Sequence, residues 1–325
     1  MPNWICRQGW SCSCWRSQYT HDGSPDECGE ICDRYATLDR RIRVYHTENM
    51  GLASVRNTGV EKAMEAGSSY IAFIDSDDWI EENMIEALYS AAVKNKSDVV
   101  VCNYRNGQKR GHRSGVLLDG TEILDHAEAM RSLLNESLSN VMWNKLWAKS
   151  LFEGVRFPDG KVFEDIATAY RLFENADSVC CIPDVLYHYS INPDGISKVH
   201  GLRNLIDYWD AHHERYLYLS RREPYCLDRE NVEHLIRACT AAAFRTWRWI
   251  YPYLDMLGEQ EEAKLSEMEA LIREKSAECD KRDWPIYLKI APFCMRFRSK
   301  VVFAVLYYMD MGYRGVGSSI SKIKG

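Results

Sequence analysis

No stretch of this 325-residue chain is long and apolar enough to read as a membrane span. The longest apolar run near its end, "VVFAVLYYM" (301 to 309), is far short of the roughly 20 residues that a spanning helix needs. The start lacks the apolar core of a secretory leader. Internal repeats and low-complexity linkers are also missing. There is no excess of positive charge: the net of −6 gives no reason to expect nucleic acid as a partner. Paired Cys-x₂-Cys knuckles are lacking, although the chain has 12 cysteines. It is too long for a disulfide-stapled miniprotein, and Cys102, Cys180, Cys181 and Cys239 lie inside apolar segments, where a free thiol acts as a small hydrophobe. These absences point to a reducing, cytoplasmic setting.

What is present is the composition of an ordinary globular protein, 46% hydrophobic and 27% charged. That is enough for one large or two modest cores. The net charge hides an asymmetry. From Lys281 onward nine Lys or Arg face only Asp283 and Asp310, so this tail is near +7 and the remainder near −13. With its interleaved Phe, Tyr, Val and Leu, the tail suits either an interfacial helix on anionic lipid or a helix packed against the rest of the protein.

Up to about residue 190 helices and strands alternate. "GLASVRNTGVEKAMEAG" places Leu52, Val55, Val60, Ala63 and Met64 at helical spacing. Tyr70 to Ile74 reads as a buried strand, "EENMIEALYSAAVKN" as a helix and "DVVVCNY" as a strand. A helix is expected from Thr121 through "TEILDHAEAMRSLLNE", another in "EDIATAYRLFENA", then two short strands, "SVCCI" and "VLYHY". Such alternation argues for an α/β layered domain with a largely parallel sheet, whose ligands bind beyond the carboxyl ends of its strands. From about His200 the segments become long, helical and aromatic-rich. The expected organisation is an atypical segment over 1–20, an α/β domain over 21–200 and a mainly helical region over 201–325.

One strand end stands out. In "SSYIAFIDSDDWI" the apolar run empties into Asp75, Asp77 and Asp78. Carboxylates that close repel one another unless they are solvated or share a cation. Two readings stand: a solvated turn rich in Asp, or hard oxygen ligands for Mg²⁺ or Mn²⁺ that in turn hold a substrate's phosphates. A phosphatase of the haloacid-dehalogenase type also uses Asp-x-Asp after a strand. It normally has Thr or Val two positions after the second Asp, where this chain has Trp79.

"FIDSDDW" preceded by "GLASVRNTG" resembles the family 2 glycosyltransferases of the GT-A fold. "HDGSPDECGEICDRYA", "RIRVYHTENMGL", "WNKLW" and "RFPDGKVFEDIATAYRLF" resemble further family segments, in the family's order, over roughly residues 21 to 200. The resemblance implies an inverting, metal-dependent transferase acting on a nucleotide-sugar donor, with a UDP-sugar foremost. Its acceptor would be a glycan or lipid-linked hydroxyl in polysaccharide synthesis, and its setting the cytoplasm or the inner face of a membrane. By position, Asp22 would contact the uracil or ribose, Asp75 would face the ribose, and Asp77 would bind Mn²⁺ or Mg²⁺. Asp78 would support them. Arg56 and Asn57 would either line the nucleotide pocket or serve structure. Asp165 would be the catalytic base, ahead of its neighbour Glu164, and both also suit a helix N-terminus. Trp143 would stack on an acceptor sugar or fill a core. Lys145 would approach the diphosphate or sit on the surface. His188 and the loop "INPDGIS" would fold over the donor, with Gly195 permitting the turn.

The departures from the family lie at the start. The usual first strand, Val-Ile-Ile-Pro-x-Tyr-Asn, has no counterpart, residues 1 to 20 show no strand or helix periodicity, and His21 stands where the first family Asp would be. This leads to the expectation of a truncated or frame-shifted start, and of an inactive remnant as the alternative. A rival of another class is a zinc module built from Cys6, Cys12, Cys14, His21, Cys28 and Cys32, whose spacings fit zinc poorly.

Overall fold

The computed structural model of the chain describes residues 16–23, 26–106, 113–114, 120–191, 201–222, 229–278 and 302. They divide into two compact units, with the break between Lys198 and Val199 and a return of Arg222 to the first. The three N-terminal cysteines Cys6, Cys12 and Cys14, the loop with Gly195 and the basic tail from Lys281 lie outside the described residues, Val302 excepted.

The first unit begins with strand β1 (Ser17–His21), helix α1 (Cys28–Leu38), strand β2 (Ile42–His46) and helix α2 (Leu52–Glu65). β1 and β2 pair in parallel, from Ser17↔Ile42 to His21↔His46. The expectation of no strand before residue 21 therefore fails for 17–20. Tyr19 and Thr20 favour extended backbone, but this short stretch is extended only because β2 pairs with it. α2 buries Ala53, Arg56, Asn57, Val60 and Ala63. Its inner face is thus centred on two polar residues, and Leu52, read as core from its spacing, is exposed.

The larger sheet holds β3 (Tyr70–Ala72), β4 (Trp79–Ile80), β5 (Val99–Asn106), β6 (Arg113–Ser114), β7 (Glu122–Asp125), β8 (Lys145–Ala148) and β9 (Ser178–Tyr189). Its path runs β3-β8-β5-β9-β4, with β6 on β5 and β7 on β9. The α/β class holds, but the sheet is not largely parallel. Within it only β5 and β9 run in parallel among the described pairings. The short strands β4, β6, β7 and β8 pair antiparallel with their neighbours.

Two expected elements change form. "SVCCI" and "VLYHY" are one strand, β9, because the sheet absorbs Pro183 in a bulge: the register slips between Cys102↔Ile182 and Asn103↔Val185. The Asn103 amide donates to the Pro183 carbonyl at 3.0 Å, which satisfies backbone that the irregularity frees. The helix expected from Thr121 starts later. Glu122–Asp125 pairs with β9, and α4 (His126–Leu134) opens with a capping box in which the Glu128 N–H donates to Asp125 and the Asp125 N–H donates to Glu128. That Asp-x-x-Glu spacing is the local signal that fixes the start.

Helix α3 (Met84–Asn95) packs Met84, Leu88 and Ala92 on Val100, Cys102, Leu146, Cys180 and Leu186. Helix α5 (Glu164–Glu174) buries Ala169, Tyr170, Leu172 and Phe173. The described cysteines are all free, and burial pushes the thiols of Cys102 and Cys181 up to about 12. The second unit is built from α6 (Leu202–Ser220), α7 (Arg229–Trp249) and α8 (Glu259–Glu278). Trp209, Phe244, Trp247, Met268 and Ile272 form its core. Among the described residues no helix is long and apolar enough to cross a membrane.

Candidate active site

β3 stops at Ala72, so Asp75 leaves the sheet's end in irregular backbone closed by the Asp78 N–H donating to the Asp75 carbonyl at 3.1 Å. The three acids meet three different environments. Asp78 is buried; its carboxylate accepts from the Tyr187 hydroxyl at 2.6 Å and the Ser190 N–H at 2.7 Å. Burial outweighs both bonds and raises its pKa to about 6. Asp75 is half-buried and accepts from Arg56 Nη2 at 3.1 Å, while its own N–H donates to Tyr187 Oη. Burial raises its pKa and Arg56 opposes the rise. Asp77 is exposed, and among the described residues nothing hydrogen-bonds or ion-pairs with it. The repulsion posed by the sequence is thus relieved by separating the groups: one buried and bonded, one paired, one in solvent.

Arg56 ties this loop to the second acidic segment. Only 6% exposed, it donates from Nη1 to Glu164 at 2.5 Å, 108 positions later, while Nη2 holds Asp75. Its guanidinium lies 5.9 Å from the Phe73 ring and 5.8 Å from the Phe157 ring. Burial works against the charge, yet Glu164 and Asp75 hold the Arg56 pKa above its ordinary value. Glu164 is buried at the start of α5. Asp165 beside it is half-buried and accepts from the Ile166 N–H at 2.7 Å. The preceding residue, Phe163, sits at φ 62°, ψ 34°. Left-handed backbone is a true outlier for an aromatic residue, and such strain is held at functional sites when the surroundings over-determine it.

Asn57 serves structure. Its amide donates to the Phe157 carbonyl at 2.9 Å and to Asp159, and its Oδ1 accepts from the Phe157 N–H. It pins the loop leading to α5. Asp22 follows β1 directly and is half-buried. Gly23, at φ 71°, could carry no side chain without strain: a Cβ there would lie 3.3 Å from the Asn49 nitrogen and the Thr47 carbonyl.

Of three further candidates, Trp143 takes the core reading of its two, and His188 and Lys145 are not where the sequence reading placed them. Trp143 is a core residue, stacked on Tyr187 with ring centroids 4.3 Å apart, parallel to Tyr189 at 5.8 Å and edge-on to Tyr104. No sugar can reach its faces. His188 is buried beneath the Trp79 ring and bonds Glu81 at 2.7 Å. Strand pairing sets it directly opposite Trp79, on the same face, where the indole covers it. Lys145 is neither on the surface nor open to a diphosphate. It is fully buried, donating to the Val141 carbonyl and to Asn144 Oδ1, both at 2.7 Å. Burial lowers its pKa to about 7, although Cys102, Cys181 and Asp165 nearby favour its charge.

That burial has a measurable consequence. Between about pH 7 and its ordinary value of 10.5, Lys145 binds a proton in the unfolded chain but not in the fold. Stability therefore rises with pH in this range. Cys102 and Cys181 oppose the rise only above 9.0, the ordinary thiol value. Lys145→Met is expected to flatten the rise between pH 7 and pH 9 in urea denaturation. An unchanged slope would refute the assignment.

Tyr187 was not anticipated. It holds both Asp75 and Asp78 through one hydroxyl, whose pKa burial and Asp75 drive far above the usual phenol. In sequence it is one aromatic in a strand, and only the tertiary fold aims it at the acids.

Among the described residues no three His, Cys, Asp or Glu are disposed to hold a metal ion. This gives the zinc reading no support from His21, Cys28 and Cys32. A divalent cation at the acidic loop would have Asp77 and its immediate surroundings, hard oxygen donors, with the rest of its shell open. That fits Mg²⁺, or the similar Mn²⁺, held by one or two carboxylates with waters and substrate phosphates completing the coordination.

Comparison with known proteins agrees with this geometry. Residues 19–155 match the family described as Glycosyl transferase family 2. Glycosyltransferase GlyG of Streptococcus pneumoniae is 35% identical over 178 residues, covering 52% of this chain and 58% of GlyG. The putative glycosyltransferase EpsH of Bacillus subtilis is 34% identical over 186 residues, 54% of this chain and 52% of EpsH. The chain thus spans little more than half the length of these relatives. Among solved structures, S. aureus TarS 1-349 in complex with UDP-GlcNAc superposes with a TM-score of 0.61 over 92% of this chain and 82% of that one. At 15% identity it speaks to the fold alone. Residues 19–155 thus resemble glycosyl transferase family 2, and the fold is that of the GT-A neighbours.

Proposed function

We propose that the chain transfers a sugar from a nucleoside diphosphate donor to a hydroxyl of a glycan or lipid-linked acceptor, with inversion, in polysaccharide synthesis. The observation that carries this reading is the Arg56 bridge. It joins the Asp75 loop to the Glu164–Asp165 segment and engages Asp75 and Glu164, while Tyr187 and Ser190 engage Asp78; among the described residues neither Asp77 nor Asp165 has an ion pair. Asp75 keeps Oδ2 for the ribose, and Asp22 faces the nucleoside. Mn²⁺ or Mg²⁺ held at Asp77 would neutralise charge growing on the departing diphosphate. Asp165 takes the proton of the acceptor hydroxyl as its oxygen attacks the anomeric carbon, and the bond from that carbon to the diphosphate oxygen breaks. One displacement inverts the configuration. Uridine is the first base to try, because the TarS neighbour was solved with UDP-GlcNAc.

The test is calorimetric titration of UDP, with and without Mn²⁺, into wild type and Asp77→Asn. Binding is expected to need Mn²⁺ and to weaken at least about tenfold in the variant, roughly 1.4 kcal/mol. If folded wild type binds none of UDP, GDP and dTDP, the reading is wrong.

A further inference from the structure

The core position of Trp143 leaves the acceptor without its expected aromatic platform, and a different tryptophan has the properties of one. Trp79 lies two positions beyond Asp77 and is 48% exposed. Its ring lies flat on the buried His188 imidazole, with centroids 3.4 Å apart and an interplanar angle of 0°. The ring cannot swing freely. Strand pairing holds its backbone opposite His188, and the imidazole beneath it is fixed by Nε2 bonding Glu81 at 2.7 Å. One face is therefore covered and the other is open. Ile191, 58% exposed, follows the Ser190 whose N–H binds Asp78, so a second apolar side chain flanks the same acidic loop.

An exposed tryptophan held rigid contributes nothing to a core. It offers a large apolar surface at low entropic cost on binding. The C–H face of a pyranose matches such a surface. A nucleobase would also stack on it, but the nucleoside end is assigned to Asp22, directly after β1, which pairs with β2, whereas Trp79 is on β4 at the end of the other sheet's path. We infer that the open face of Trp79 binds a pyranose ring of the acceptor, with His188 and Glu81 positioning the indole. This rests on the transferase reading above.

The test uses full-length chain labelled with 5-fluorotryptophan. Among its 10 tryptophans, the Trp79 resonance is identified as the one missing from Trp79→Phe. Methyl β-glucopyranoside and methyl β-galactopyranoside are titrated through the millimolar range, with uridine as the control. The expected result is that at least one glycoside shifts the Trp79 resonance and uridine does not. A shift with uridine alone would make Trp79 a base platform, and no shift with any of the three would remove the platform; either outcome overturns the inference. Mn²⁺-dependent UDP binding, measured on the same sample, separates the two levels: if it holds while the glycosides fail, only the acceptor inference falls.

Discussion

Arg56→Met is expected to destabilise the first unit by about 3–5 kcal/mol, the usual result of removing one partner from a buried ion pair. The variant leaves Glu164 buried with no cation, near the charges of Asp165 and Asp75 that Arg56 now offsets. Its stability should depend steeply on pH. Without Arg56, burial first and then the charges of Asp165 and Asp75 raise the folded pKa of Glu164 above the unfolded value of 4.5 with no cation to oppose them. A raised folded pKa means stability that is intact below 4.5 and lost as pH climbs through the folded value. The variant should therefore recover in mild acid and weaken toward neutrality. Arg56→Met with Glu164→Gln should regain much of the loss, because a neutral amide is cheaper to bury than an unpaired carboxylate. Arg56→Lys should rescue only in part, since a point charge cannot fork between two carboxylates. Urea denaturation across this range decides the matter. A loss below about 1 kcal/mol with no pH dependence would show that the bridge is incidental.

The elements legible in the sequence were those whose signals are local. The α2 and α3 helices, the Tyr70 strand and the acid cluster after it all rest on short periodicities or on charge next to an apolar run. The failures came where a distant partner overrides the local pattern. Glu122–Asp125 is strand because β9 has an open edge there, and helix propensity does not register that edge. Pro183 reads as a break, but a bulge closed by Asn103 keeps β9 whole. Register sets Trp79 directly opposite His188 on one face of the sheet, so the indole covers the imidazole and stays half exposed itself. The candidate site divides in the same way. Spacing nominated Asp75 and Asp77, and the family resemblance added Glu164 and Asp165. Neither could show that one arginine joins the two groups, that Tyr187 ties Asp75 to Asp78, or that Lys145 lies wholly buried. Arg56 was named by the resemblance alone, as pocket or structure, because apolar periodicity does not register that the inner face of α2 is centred on Arg and Asn.

Asp165→Asn is expected to lower turnover by about 10²–10⁴-fold, the range a positioned general base contributes. The substitution is nearly isosteric, and its Oδ1 can still accept the Ile166 N–H that Asp165 holds at 2.7 Å, so the first turn of α5 should persist. What it removes is the capacity to take a proton. UDP release from a UDP-sugar in the presence of a glycan acceptor reads the rate, and the UDP titration checks that the donor site survives. Glu164→Gln is the informative contrast. Glu164 is committed to Arg56 through a 2.5 Å bond, so it is poorly free to accept a substrate proton, and its replacement should act first on stability. Lost turnover with retained UDP binding in Asp165→Asn, beside partial activity in folded Glu164→Gln, assigns the base to Asp165. The reverse pattern would move the base to Glu164 and reduce Asp165 to a helix-terminus charge. If Asp165→Asn kept more than about a tenth of wild-type turnover, proton removal would not rest on this residue, because a loss that small corresponds to only about 1.4 kcal/mol in the barrier.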